Sequence, residues 1–136
     1  MPTLPDFRLE THFSKWEFKA QYHLTASDAE SLSLRDLLDG TSAEERASLE
    51  DLWLGYTETF GAPDLREAIA ETYEAQAAEN VLCFAGASEG IFAANQVVLD
   101  ADSHAIVVTP NYQSHETLPL AICEATGVPL DPEDSW

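Results

Sequence analysis

Apolar positions along this chain change rhythm twice, and each change marks out elements. Residues 1 to 26 hold two prolines and the aromatics Phe7, Phe13, Trp16, Phe18 and Tyr22 with no clean period. That is too apolar for a solvated tail and predicts an arm packed on another part of the structure or on another subunit. From Ser27 the spacing turns helical. Ser27-Asp28-Ala29-Glu30 has capping-box spacing, and Leu34, Leu37 and Leu38 predict a short amphipathic helix ending near Gly40. Ser42-Ala43-Glu44-Glu45 repeats the start signal, with Leu49, Leu52 and Trp53 continuing on one face and Gly55-Tyr56 in a loop. Gly61-Ala62-Pro63-Asp64 is a third start, with proline in the first turn and an acid beside the helix dipole. Leu65, Ile69, Tyr73 and Ala77 recur every fourth residue and predict a helix from about Pro63 to Ala78.

Beyond Asn80 the apolar runs shorten. They predict a strand Val81–Phe84, a small-residue turn Gly86-Ala87-Ser88-Glu89-Gly90, a helix from about Ser88 to Leu99 and a polar turn Asp100–Ser103. A strand Ala105–Thr109 follows, then a helix ending at Gly127 as its C′ residue, with Pro119 starting it late or kinking it. Val128-Pro129-Leu130 opens a third strand. Strand, helix, strand, helix, strand implies an α/β fold of βαβ units with right-handed crossovers and a mostly parallel sheet. Ligands of such sheets collect outside the carboxyl ends of the strands, where the Gly86–Glu89 turn and Tyr112 both fall. A parallel sheet needs both faces covered. Two or three strands after a long helical prologue do not provide that, so the chain reads as the front part of something longer, or as one whose partner supplies the rest.

Composition changes this picture in one respect. At 136 residues a single domain is the prior, and the hydrophobic fraction of 45% is that of a globular protein. The net charge of −19, from 25 acidic residues against 6 basic ones, argues against nucleic acid and anionic membranes as partners. High-salt adaptation and plain acidic solubility both fit that balance. Cys83 and Cys123 match neither a zinc spacing nor a redox pair and read as buried free thiols in a reducing compartment. Met1–Asp6 has no basic-then-apolar leader, and no apolar run approaches a membrane span, which makes the expected location cytoplasmic.

The turn at Gly86 is neither a Walker A sequence nor a dinucleotide fingerprint. Helix-start N–H groups and the dipole suit a phosphate or carboxylate, with Ser88 able to cap and to donate its hydroxyl; a tight strand-to-helix turn also needs no ligand at all. Tyr112, after Pro110-Asn111, is core packing or a ligand platform. A phosphate seat one βαβ unit earlier favours the platform and suits a phosphorylated aromatic cofactor. His12, His23, His104 and His115 lack the i, i+4 pairing of a helical metal site, so no metal is expected.

Three blocks in this order, Tyr56-Thr57-Glu58-Thr59-Phe60-Gly61-Ala62-Pro63-Asp64-Leu65-Arg66-Glu67-Ala68-Ile69-Ala70, then Gly86-Ala87-Ser88-Glu89-Gly90, then Pro110-Asn111-Tyr112, resemble the class I/II aminotransferases, pyridoxal-phosphate enzymes of fold type I. Leu24–Ser31 looks most like the branch of capreomycidine-synthase-like enzymes. The resemblance implies an arm and small-domain helices over 1–55 and the first part of the cofactor-binding large domain over 56–136. It implies pyridoxal 5'-phosphate, held through Ala87 and Ser88, with Tyr112 stacked on the pyridine ring. Tyr56 would reach the phosphate of a neighbouring subunit's cofactor, making a homodimer with a shared site; Arg66 would be structural. Amino acids and 2-oxo acids would be the substrates. The family's Schiff-base lysine, its pyridine-pairing Asp and its carboxylate-gripping Arg lie downstream of the matched blocks, and Lys15 and Lys19 do not match the lysine motif. No catalytic residue is therefore assigned, and the chain alone is expected to be inactive. An amino-acid cyclase or lyase of the same fold, and a non-catalytic acidic interaction module, are the alternatives.

Overall fold

The computed structural model describes residues 4–134, so the expectations for Met1–Thr3 and for Ser135–Trp136 lie outside it. Its helices are α1 (Arg8–Trp16), α2 (Leu34–Asp39), α3 (Ala43–Glu50), α4 (Pro63–Ala70), α5 (Ala87–Val98) and α6 (Gln113–Ile122). Its strands are β1 (His104–Thr109) and β2 (Glu124–Pro129), with short 3-10 turns at Ala78–Asn80 and Pro132–Asp134. Two compact units form among the described residues, one of Tyr22–Leu82 and one of the residues up to Gln21 together with those from Cys83 onward.

In the unit Tyr22–Leu82, side chains set the helix boundaries. Ser33, not Ser27, caps α2: its hydroxyl accepts from the Asp36 N–H at 3.1 Å and the Asp36 carboxylate accepts back from the Ser33 N–H. The box predicted from Ser27 has the right spacing but no helix after it. Ser42 and Glu45 do the same for α3, as predicted, though α3 ends at Glu50, before Leu52 and Trp53. α4 is half the predicted length. The Thr72 hydroxyl donates to the Ile69 carbonyl at 2.7 Å, and the Thr72 and Tyr73 N–H groups close tight i→i−3 turns, so side chain and backbone together end the helix. Gly61 before it has φ 111°, the left-handed region that suits glycine.

In the other unit, β1 and β2 pair in parallel, with α6 connecting them and packing on both. This is the expected βαβ arrangement. The third predicted strand is real but begins at Glu124. Gly127 pairs with Val107 inside the ladder and is no helix C′ residue. The preceding helix stops at Ile122, with Cys123 already extended. Pro119 lies inside α6, buried beside Leu118. Val81–Phe84 forms no ladder. Its Val81 carbonyl is taken by Arg66 Nε at 2.9 Å, and no neighbouring strand of the described residues pairs with it.

Burial in β1 alternates, Ala105, Val107 and Thr109 half-buried against exposed His104, Ile106 and Val108. Among the described residues only Ala70, Leu118 and Pro119 are buried. Large apolar side chains such as Val97, Val98, Ile106 and Leu120 stay exposed. One parallel pair with a single connecting helix cannot cover both sheet faces, as its architecture requires.

Candidate functional site

The small-residue turn opens α5 one residue earlier than the spacing predicts. Gly86 is the N-cap, with extended backbone at φ −166°, and Ala87 and Ser88 are the first two helical residues. Ser88 does not cap the helix, because a residue already inside the first turn cannot reach back over its own N–H. The first N–H groups satisfied by the turn are those of Glu89 and Gly90, both donating to the Gly86 carbonyl. Those of Ala87 and Ser88 find no protein acceptor among the described residues, nor does the Ser88 hydroxyl, and both residues are exposed. Two free peptide N–H groups, a free hydroxyl and the positive end of a twelve-residue helix converge there.

The surroundings keep that corner open. No atom lies within 4 Å of where a Cβ on Gly86 would stand. At Gly90 a Cβ would meet the Phe84 ring at 3.2 Å, so glycine lets that ring pack against the helix start. Glu89 bends back to accept from the Ala85 N–H at 3.0 Å, which ties its carboxylate to the turn's own backbone.

Tyr112 is the N-cap of α6, just past the carboxyl end of β1. Its N–H donates to the Asn111 Oδ1 at 2.7 Å, and its carbonyl accepts from the His115 N–H at 2.9 Å. The Asn111 N–H in turn donates to Glu116 Oε1 at 2.8 Å, fixing the approach to the helix. Two aromatic neighbours flank the ring among the described residues. His115 stands edge-on at 5.8 Å, and Phe7 from the arm lies at 5.2 Å, tilted by 55°. About 36% of Tyr112 remains exposed.

Ala87, Ser88 and Tyr112 therefore share one unit, each at the start of one of two helices that pack on each other. Tyr56 belongs to the unit Tyr22–Leu82, where it is fully exposed. Phe7 and Gln113 join the site's surroundings without any sequence signal. His115, not assigned to the site from sequence, carried one signal that could have found it, its place three residues after Tyr112 and hence on the same side of the helix. Cys83 and Cys123 are half-buried free thiols. Among the described residues no cluster of His, Cys, Asp or Glu could hold a metal ion, and no helix is long and apolar enough to cross a membrane.

Comparison with known proteins extends this geometry. The family model for aminotransferase class I and II matches residues 21–136. The chain is 31% identical over 97 residues to an aspartate aminotransferase of Pyrococcus horikoshii, an alignment covering 67% of this chain and 25% of that protein. A pyridoxal-phosphate-dependent aminotransferase from Streptococcus suis superposes with a TM-score of 0.86 at 25% identity, over 98% of this chain and 37% of that one. The pyridoxal-phosphate-dependent cyclase OrfR superposes with a TM-score of 0.81 over 95% of this chain and 34% of its own, at 23% identity, a likeness of fold alone. The chain thus spans about a quarter of the curated relative's length and about a third of the structural neighbours'.

Proposed function

The chain belongs to the class I and II aminotransferases, and from that premise we propose that it forms the phosphate-holding and ring-stacking part of an enzyme moving an amino group between an amino acid and a 2-oxo acid. The observation that carries this reading is the pair of unpartnered N–H groups of Ala87 and Ser88 at the start of α5, with the Ser88 hydroxyl beside them. Residues and group fit: a dianionic phosphate needs several donors and positive potential, and the open space at Gly86 lets it approach the backbone. When bound, pyridoxal 5'-phosphate supplies an electron sink for charge developing at the substrate's Cα.

The chain's own residues have separable tasks. Ala87 and Ser88 would hold the phosphate, and Glu89 keeps the turn in shape through the Ala85 N–H. The exposed part of Tyr112 would offer the pyridine ring a surface to stack on. Full exposure of Tyr56 supports the role implied by the resemblance, in which its hydroxyl reaches the phosphate in a partner subunit. A homodimer is therefore part of the proposal, as are a cytoplasmic location, a biosynthetic role and a division at residues 55/56 between small-domain and large-domain segments. No residue here serves as nucleophile or proton carrier, so the 136-residue chain alone should be inactive. Cyclase or lyase chemistry is the less favoured reading, since the likeness to a cyclase is one of fold.

The test is made on a full-length protein, meaning this chain continued over the rest of its relatives' length, incubated with pyridoxal 5'-phosphate. The proposal predicts a borohydride-trappable lysine adduct and transfer of an amino group from an amino acid to a 2-oxo acid. A protein giving neither is not an aminotransferase.

A further inference from the structure

The arm is tied to Tyr112 by a contact that neither the helix pattern nor the family likeness assigns. α1 begins at Arg8 with Phe7 as its N-cap, and a phenyl group cannot accept from the helix's free N–H groups. Gln113 fills that role from over a hundred residues away. Its Oε1 accepts from the Arg8 N–H at 3.0 Å, while its Nε2 donates to the Asp6 carbonyl at 2.8 Å. One carboxamide thus grips the peptide groups on both sides of Phe7. With its backbone held at two points, Phe7 has its ring centroid 5.2 Å from that of Tyr112.

We propose that Gln113 and Phe7 are positioning residues: the Gln113 carboxamide caps α1 and thereby seats the Phe7 ring against Tyr112, fixing the orientation in which Tyr112 meets the cofactor. This rests on the proposed stacking role of Tyr112. His115 holds the ring's other neighbour position from within α6 itself, so only the Phe7 contact depends on the arm. Ordering the arm and ordering the ring are then a single event. A ring with only one fixed neighbour keeps more rotational freedom, and a ligand stacking on it must remove that freedom.

Two readouts on the full-length protein test this, one needing no cofactor. Amide exchange at Arg8 should accelerate roughly fivefold in Gln113→Ala, the equivalent of one ordinary hydrogen bond. It should accelerate less in Gln113→Glu, which keeps the acceptor and loses the donor. Dissociation of pyridoxal 5'-phosphate should become roughly three- to tenfold easier in both Gln113→Ala and Phe7→Ala, the range of an aromatic pair contact, and Phe7→Tyr should restore it. Unchanged Arg8 exchange in Gln113→Ala overturns the cap. Faster exchange with unchanged cofactor retention, in a protein where Tyr112→Ala does weaken retention, overturns the positioning and leaves the proposed function standing. Retention unchanged in Tyr112→Ala itself overturns the stacking role, and the positioning with it, whatever the exchange shows.

Discussion

The guanidinium of Arg66 reaches across fifteen residues to donate from Nε to the Val81 carbonyl at 2.9 Å. Its Nη2 donates to the Ala78 carbonyl at 2.6 Å, and the Phe60 ring lies 5.9 Å from its central carbon. A planar fork is needed to satisfy two carbonyls separated by a turn, and an ammonium group can serve only one of them well. Arg66→Lys should therefore lower the unfolding free energy by about 1–3 kcal/mol, the worth of a charged hydrogen bond to a half-buried carbonyl. Denaturant unfolding measures this, and an unmoved midpoint would show that the fork is dispensable.

At the site, Tyr112→Ala should weaken retention of pyridoxal 5'-phosphate in the full-length protein, while Cys83→Ala should not, because the Cys83 thiol is a half-buried free group to which no cofactor contact is assigned. Dialysis of the loaded variants, followed by absorbance, separates the two. Equal retention would remove the stacking role.

Hydrogen bonds to exposed carboxylates set a mild acid sensitivity. The Ser42 N–H and hydroxyl hold the Glu45 carboxyl below its ordinary 4.5. The Ser103 hydroxyl, helped by the Asp102 N–H, holds Asp100 below 3.8. Both folded values are depressed, so what these groups contribute is present above the ordinary values and is lost as pH falls through the depressed ones. Ser103→Ala should let the Asp100 titration climb back toward 3.8. Carboxyl carbon shifts followed against pH report it directly; a titration that stays put would contradict the assignment.

With 25 acidic residues against 6 basic ones, self-repulsion opposes folding. The Arg46–Asp39 bridge, 3.2 Å long and well exposed, offsets little of it. Raising the salt concentration from about 0.1 to 1 M shortens the screening length from about 10 to 3 Å and should raise the melting temperature. A melting temperature that falls with added sodium chloride would show that attractive pairs, rather than repulsion, dominate this surface.

Local chemistry made much of this legible. The α3 cap at Ser42, the Pro63 start of α4, the strand ending at Thr109 and the turn at Gly86 all follow from residues within one turn of each boundary. The family motifs single out Ala87, Ser88 and Tyr112, and the fold sets all three at helix starts within one unit. Local patterns fail mostly where distant partners decide. Val81–Phe84 has the composition of a strand but gives its first carbonyl to Arg66. Gly127 carries a helix-ending signal and instead pairs with Val107. The periodic run through Tyr73 and Ala77 overstated α4, because helical spacing says nothing of a threonine that closes the last turn on itself. The grip of Gln113 on Asp6 and Arg8 joins positions more than a hundred residues apart, and no local pattern encodes such a pair.

The most direct test is a crystal structure of the full-length protein soaked with pyridoxal 5'-phosphate. Phosphate oxygens within hydrogen-bonding distance of the Ala87 and Ser88 nitrogens, with the Tyr112 ring parallel to the pyridine, are the predicted result. A bound cofactor whose phosphate is held elsewhere, with the start of α5 facing only water, would contradict it.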